Sequence, residues 1–376
     1  MKHIISMNHG CAMHKWSLTL AASALMVAGV SSAQAAEVAS PLKNRTIGYV
    51  LTNYFFSLFS SEQKTECPEG INDGPIAQFD QLYPKDKKRT VVDTELQYEA
   101  NVWFPSLTPE PFKFKEAGGK TAPGLNLDGK VDANDFTGPD NEPGIDNQLY
   151  RALGCVGDYR PGGSLRGFHN IYLRDRNYTR LLLELTDVDS LIDDDDVTLT
   201  TYRGLDALLT DASGNEILPN GTQRVDELYG KRFQKRAHGR IKNGVLMTDP
   251  ADLVLPIIMA YNSRPAFTIR GSQLKLAVTP EAAKGTWGGY FDIENFYKTI
   301  NTAYSVYHHN YGGRSIQSIY RQLYKLADGY PDPKTGKNTA ISGAVDIAFK
   351  QVFINHPKPQ IASTDMKAQA VASLQK

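Results

Sequence analysis

Oxygen ligands for a hard cation are the chemistry most concentrated in this sequence. From Gly124 to Asn147 the chain reads GLNLDGKVDANDFTGPDNEPGIDN, with six carboxylates, one lysine, four glycines and two prolines. The acids are spaced rather than massed, and turn-forming residues lie between them. Such a stretch is either a solvated acidic linker or a loop folded around a cation. Calcium suits the second reading, because it accepts six to eight oxygens in flexible geometry.

Calcium loops of the EF-hand type place oxygen ligands two residues apart, bend sharply at a glycine and close on a carboxylate. The segment NLDGKVDANDF resembles such loops, and in particular the dockerin-type loops of secreted bacterial proteins, which also close on aspartate. With Gly129 at the bend, the resemblance implies a ligand set of Asn126, Asp128, the Lys130 carbonyl, Asp132 and the closing Asp135. Val131 takes the apolar place that follows the carbonyl ligand. The pattern departs from those loops at its first ligand, which falls on Gly124. Asp140, Glu142 and Asp146 follow in a second turn-rich stretch, with Asn147 after them, and one of these acids is expected to donate the missing carboxylate. The resemblance covers about a dozen residues, and there is no second copy of the module.

Other chemistry is sparser. The run DVDSLIDDDDV carries Asp187, Asp189 and four adjacent aspartates, Asp193 to Asp196. It reads as a metal site or, more simply, as a solvated turn that discourages edge pairing. Two basic stretches, LRGFHNIYLRDRNYTR and YGKRFQKRAHGRIK, read as counter-charges for the acidic runs or as an anion-binding face. Their arginines are expected to lower the basicity of His169 and His238. His308 and His309 lie in YSVYHHNYGGRS, where adjacent side chains point to different faces and make poor joint metal ligands. Nucleophile-elbow, zinc-protease, P-loop and dinucleotide fingerprints are absent.

The N-terminus sets the compartment. Lys15 precedes an apolar run from Trp16 to Val30, and Ala33 and Ala35 form a small-x-small cleavage pattern. A signal peptide over residues 1–35 is expected, with no membrane span in the mature chain, so the protein is expected to be periplasmic or secreted. Removing the leader also removes Cys11 and leaves Cys67 and Cys155. In an oxidising compartment these read as one disulfide, worth roughly 4–5 kcal/mol on the loop-entropy model, or else as two separate buried thiols. Lysine plus arginine and aspartate plus glutamate both number 41, so no basic field attracts nucleic acid.

The elements that must position the acidic loop are read from apolar patterning. Residues 36–123 form a mixed segment whose apolar run after Lys43 fits a strand or a helix. TVVDTELQYEANVWFP leans to helix, and the acidic loop region spans 124–163. Short alternating runs separated by turns predict an antiparallel β-sandwich over 164–300. Apolar residues recurring at three and four in SIQSIYRQLYKLADGYPDP predict an amphipathic helix, and TAISGAVDIAFKQVFI a second, within 301–355. Residues 356–376 read as a loose tail. The expected class is α+β.

These readings converge on an exported, calcium-stabilised binding or structural protein of the cell envelope, with a glycan or an envelope protein as partner. The alternatives are a secreted glycan hydrolase using paired carboxylates, and a subunit of an envelope complex contacting its neighbours through YFDIENFYKTINTAYSVYHHNY.

Overall fold

The computed structural model describes residues 42, 44–58, 61–72, 95–98, 101–105, 113–175, 179–257, 267–299 and 316–357. The expected leader, the His308–His309 pair and most of the expected tail lie outside these residues.

In chain order the elements begin with β1 (Ile47–Phe56), a short helix α1 (Gln63–Glu66) and the strand pair β2 (Glu95–Tyr98) and β3 (Asn101–Pro105). Helices α2 (Gln148–Leu153) and α3 (Ser164–Asp175) follow. Then come β4 (Leu181–Thr186), β5 (Asp194–Arg203), β6 (Gly221–Arg224), β7 (Lys235–Lys242), β8 (Val245–Thr248), β9 (Ala251–Leu255), β10 (Phe267–Val278) and β11 (Ala282–Asp292). Residues 293–299 form helix α4, before α5 (Ile316–Lys325), β12 (Gly329–Pro331) and β13 (Asn338–Asn355).

Neither the expected α+β class nor its β-sandwich body is what forms: the described residues are mostly strand. Eight strands pair antiparallel in the order β1-β4-β5-β7-β8-β10-β11-β13, and β13 returns to β1, closing the sheet into a barrel. Closure runs from Gly48↔Val352 to Phe56↔Val345, so strands from the two ends of the chain complete the wall. Alternating apolar residues suit one face of a sandwich or the inside of a barrel equally. Only this long-range pairing separates the two.

The second expected C-terminal helix is likewise a strand, the 18-residue β13. Its small residues Ala340, Ser342 and Ala344 are fully buried on one face, while Ile341, Ile347 and Phe349 are buried on the other. A strand covered on both faces loses its alternation, and apolar residues then also recur at helical spacing. Residues 95–98 and 101–105 pair as β2 and β3 rather than forming the helix toward which they leaned. Conversely, Ser164–Asp175 is helical inside the span assigned to β structure, and Leu165, Phe168 and Tyr172 carry the three-and-four spacing. Helix α5 forms where its periodicity placed it.

Aromatic and branched side chains fill the barrel. Leu51, Phe56, Phe267, Trp287, Phe291 and Ile347 are among those around a cavity of about 20 Å³, room for about one water. A bulge between Leu51 and Asn53 shifts the phase of β1, so Ile47, Tyr49 and Leu51 and then Tyr54 and Phe56 all join the core. The tyrosine that enters brings a partner for its polar end: Tyr49 hydroxyl donates to the Thr279 carbonyl at 2.7 Å. The outward face of β7 is polar: Arg236, His238, Arg240 and Lys242 face solvent in alternation with buried residues. No described helix is long and apolar enough to cross a membrane.

Candidate metal centre

The acidic segment docks on the outside of the barrel through its few apolar residues. A side chain at Gly288 of β11 would collide with Leu125 and Leu127, so the glycine leaves a recess for both leucines. Gln273 donates to the Leu127 carbonyl at 2.9 Å, and Lys275 pairs with Glu142 at 3.0 Å. Asn147 fixes the far end: its side chain accepts from Tyr150 N–H to cap α2 and donates to the carbonyls of Ser57 and Pro123. Gln148 N–H then donates to the Ser342 hydroxyl, joining α2 to β13.

Inside the segment the aspartates first serve the backbone. Asn126 Oδ1 accepts from Gly129 N–H at 2.7 Å, and Asn126 Nδ2 donates to the Lys130 carbonyl at 2.7 Å. Asp128 accepts from Lys130 N–H, and Asp135 from Asp132 N–H. Asp146 Oδ2 accepts from Leu127 N–H at 2.7 Å across the Leu125–Asp146 bridge. Each of these acids thus commits one oxygen to an amide and keeps acceptor capacity on the other.

The geometry also accounts for the gap at Gly124. A Cβ there would stand 2.7 Å from Ile145 Cγ2, so a ligating side chain has no room. Asp146 lies next to that obstruction in sequence and reaches over it to the loop. Asp140 is exposed and Glu142 is committed to Lys275, so of the three substitutes named from sequence Asp146 stands closest to the loop backbone.

Electrostatics ties this group together. Burial raises the carboxyl of Asp146 to about 6, and the charges of Asp128, Asp135 and Asp328 push in the same direction against the Leu127 N–H bond. Asp328, from the turn between α5 and β12, is itself raised, first by burial and further by Asp135. It accepts from both the amide and the hydroxyl of Ser342, the residue that also receives Gln148 N–H. Burial also raises Tyr290, with Asp146, Asp328 and Asp128 adding to it. Asp328 is nearly two hundred residues from the loop, and only the strand register that sets Ser342 beside α2 could have revealed it. Among the described residues, no three or more Asp, Glu, His or Cys side chains are gathered tightly enough to hold a metal ion. The donor set is nonetheless all oxygen, which fits a hard cation and not a soft one.

Of the two histidines in basic stretches, His169 is lowered as expected, though not by arginines, and His238 moves the other way. His238 is raised, because Asp249 and Asp196 flank it at 2.8 and 3.2 Å. His169 is lowered to about 4 by burial alone, against Tyr54, Phe55 and Phe56. The second acidic run meets the second basic stretch directly, through Lys242–Asp195 at 2.8 Å and His238–Asp196. Asp194 meanwhile accepts from the amides of Asp189, Ser190 and Asp196. It is a paired, solvated turn at the start of β5.

Cys67 and Cys155 form a disulfide, 5.7 Å between Cα atoms, tying α1 to the end of α2. Beside it lies a buried ion pair between Arg160 and Glu66. No protein-family model, curated protein or solved structure matches this chain.

Proposed function

We propose that this chain is an exported binding protein of the cell envelope, a barrel whose side-mounted acidic segment is held in shape by calcium. The observation that carries the reading is the convergence of acids on Asp146, whose carboxyl is raised by burial and by the charges of Asp128, Asp135 and Asp328, while the lone lysine of the segment pairs with exposed Asp128. Like charges brought together in folding favour whatever cation relieves them. Binding would draw Asp128, Asp135 and Asp146, with the Lys130 carbonyl, closer together around the ion than the structure holds them, and Asp328 would add to the field. The leader pattern and the disulfide support export, since such bonds persist in oxidising compartments. The role of the ion here is stability, because Asp146 is only 7% exposed and clips the loop backbone rather than opening to a substrate.

Calorimetric titration of the calcium-stripped mature protein with calcium at neutral pH tests the reading. One site that disappears in Asp146→Asn is expected. No heat up to millimolar calcium would reject it.

A further inference from the structure

Strand β1 is paired further along one edge than along the other. Towards β13 it pairs from Gly48↔Val352 to Phe56↔Val345, but towards β4 only from Ile47↔Leu185 to Val50↔Leu182. Because β4 begins at Leu181, residues 51–56 of β1 have no described strand beside them on that edge, and the barrel wall has a notch. Helix α3 fills it. The helix precedes β4 in the chain, and β1 and β4 are antiparallel, so the chain ahead of Leu181 runs alongside the unpaired part of β1. Asn170 Oδ1 accepts from Tyr54 N–H at 3.4 Å, taking the place of a neighbouring strand's carbonyl.

We propose that α3 is a gate over the apolar interior of the barrel, released when His169 takes up a proton. His169 and Leu173, one turn apart on the same face of α3, are both fully buried. The imidazole lies parallel to the Tyr54 ring at 5.3 Å, with the Phe55 and Phe56 rings at 5.7 and 6.2 Å. Tyr54 and Phe56 also line the cavity inside the barrel, with Leu181, Leu255 and Phe267, so the histidine seals the notch against that interior. The opposite face of α3 is open, with Gly167 and Ile171 exposed. Gly162, at φ +86° and with free space where a Cβ would stand, gives the chain a turning point ahead of the helix.

The seal is built for a neutral imidazole. Neither His169 Nδ1 nor Nε2 has a hydrogen-bond partner among the described residues. The titratable and charged groups described around the seam are Tyr54 on β1, Tyr159 on the single turn Gly157–Tyr159, Glu66 with Arg160, Arg174 on α3 itself and Arg180 ahead of β4. Glu66 is taken by Arg160, and Arg180 donates to the Leu173 carbonyl at 3.2 Å. Asp346 of β13 lies across β1 from the helix, is exposed and accepts from the Ser57 hydroxyl at 2.8 Å. No described carboxylate therefore answers a proton on His169, and burial alone lowers the imidazole to about 4.

The gate does not depend on the calcium loop. Hydrogen exchange of the full chain, read by mass spectrometry on peptides from α3 and from β11 at pH 7 and pH 5, tests it. The proton binds at 6.5 in the open state and at about 4 in the closed one. After correction for the intrinsic exchange rate, α3 should therefore open about twentyfold more at pH 5 than at pH 7, with β11 unchanged. The fluorescence of N-phenyl-1-naphthylamine, an apolar probe, should rise over the same range as the interior becomes accessible. Both responses should vanish in His169→Phe, whose ring takes up no proton, and should appear alike in calcium and in EGTA. Asn170→Ala removes the tie to Tyr54 but keeps the titrating group, so it should raise α3 exchange at both pH values with the same ratio, and it reads the gate even if His169→Phe fails to fold. Unchanged α3 exchange at pH 5 would mean that the aromatic rings tolerate the imidazolium, and would overturn the gate. So would joint loss of protection in α3 and β11, exchange without probe uptake, a response confined to EGTA, or one that His169→Phe retains.

Discussion

Phe291 and Asp146 are both buried, one inside the barrel and one in the segment clasped to its side, and their surroundings treat them in opposite ways. Phe291 meets Phe56, Phe267 and Phe296 at ring separations between 5.6 and 6.0 Å, each contact tilted or edge-to-face. Nothing about that packing needs an ion, and its energy comes from apolar area removed from water. Asp146 meets other carboxylates, and burial raises its proton affinity instead of relieving it. A barrel that is complete in itself carries an appendage that is not. The appendage is therefore where calcium, and pH near neutrality, should register.

The largest expected effect falls on the tie between the two regions. Replacing Cys67 and Cys155 with serine opens a loop of sequence separation 88 and should cost about 4–5 kcal/mol in denaturant titrations. A cost below about 1 kcal/mol would mean that α1 and α2 hold the segment without the bond. Phe291→Ala comes next, at about 3–5 kcal/mol, and the loss should be equal with and without calcium. A calcium-dependent loss would break the separation of barrel from appendage.

The pH dependence sharpens the contrast, because two buried titratable groups, His169 and Asp146, have opposite signs. His169 is lowered from 6.5 to about 4, so the unfolded chain binds its proton first. Its contribution is intact above about pH 6.5, falls by about 3 kcal/mol as pH drops towards 4, and changes no further below that. Asp146 is raised from 3.8 to about 6, so the folded chain binds its proton first. Its contribution is intact below 3.8 and is lost, again by about 3 kcal/mol, as pH rises through 6 in EGTA. Asp146→Asn should therefore melt higher than the parent in EGTA at neutral pH, and should gain little from calcium. His169→Phe should remove only the acid-side slope. If Asp146→Asn melts lower in EGTA, the carboxylate is a net asset without an ion.

How far the sequence could be read follows the same division. The loop spacing around Gly129 and the period of α5 are local patterns seen in about a dozen residues, and the cysteine pair follows from a count of the cysteines left after the expected leader. Barrel closure is not local, because Gly48 meets Val352 only when the whole sheet has formed. Strand β13 misleads because both its faces are covered, one by the barrel interior and the other by α2, which Gln148 ties to Ser342. The β1 bulge at Thr52 hides its alternation in the same way, since one extra residue moves Tyr54 and Phe56 into the core. Asp328 is ordinary in sequence and becomes part of the acidic group only through Ser342. Long-range register, not residue type, decided what remained hidden.

The central claim, that calcium completes the appendage, is tested most directly by the melting midpoint of the protein at neutral pH in millimolar calcium and then in EGTA. Relief of about 3 kcal/mol at Asp146 and its neighbours predicts a midpoint higher in calcium by roughly 5 °C or more. Identical midpoints in the two buffers would contradict it.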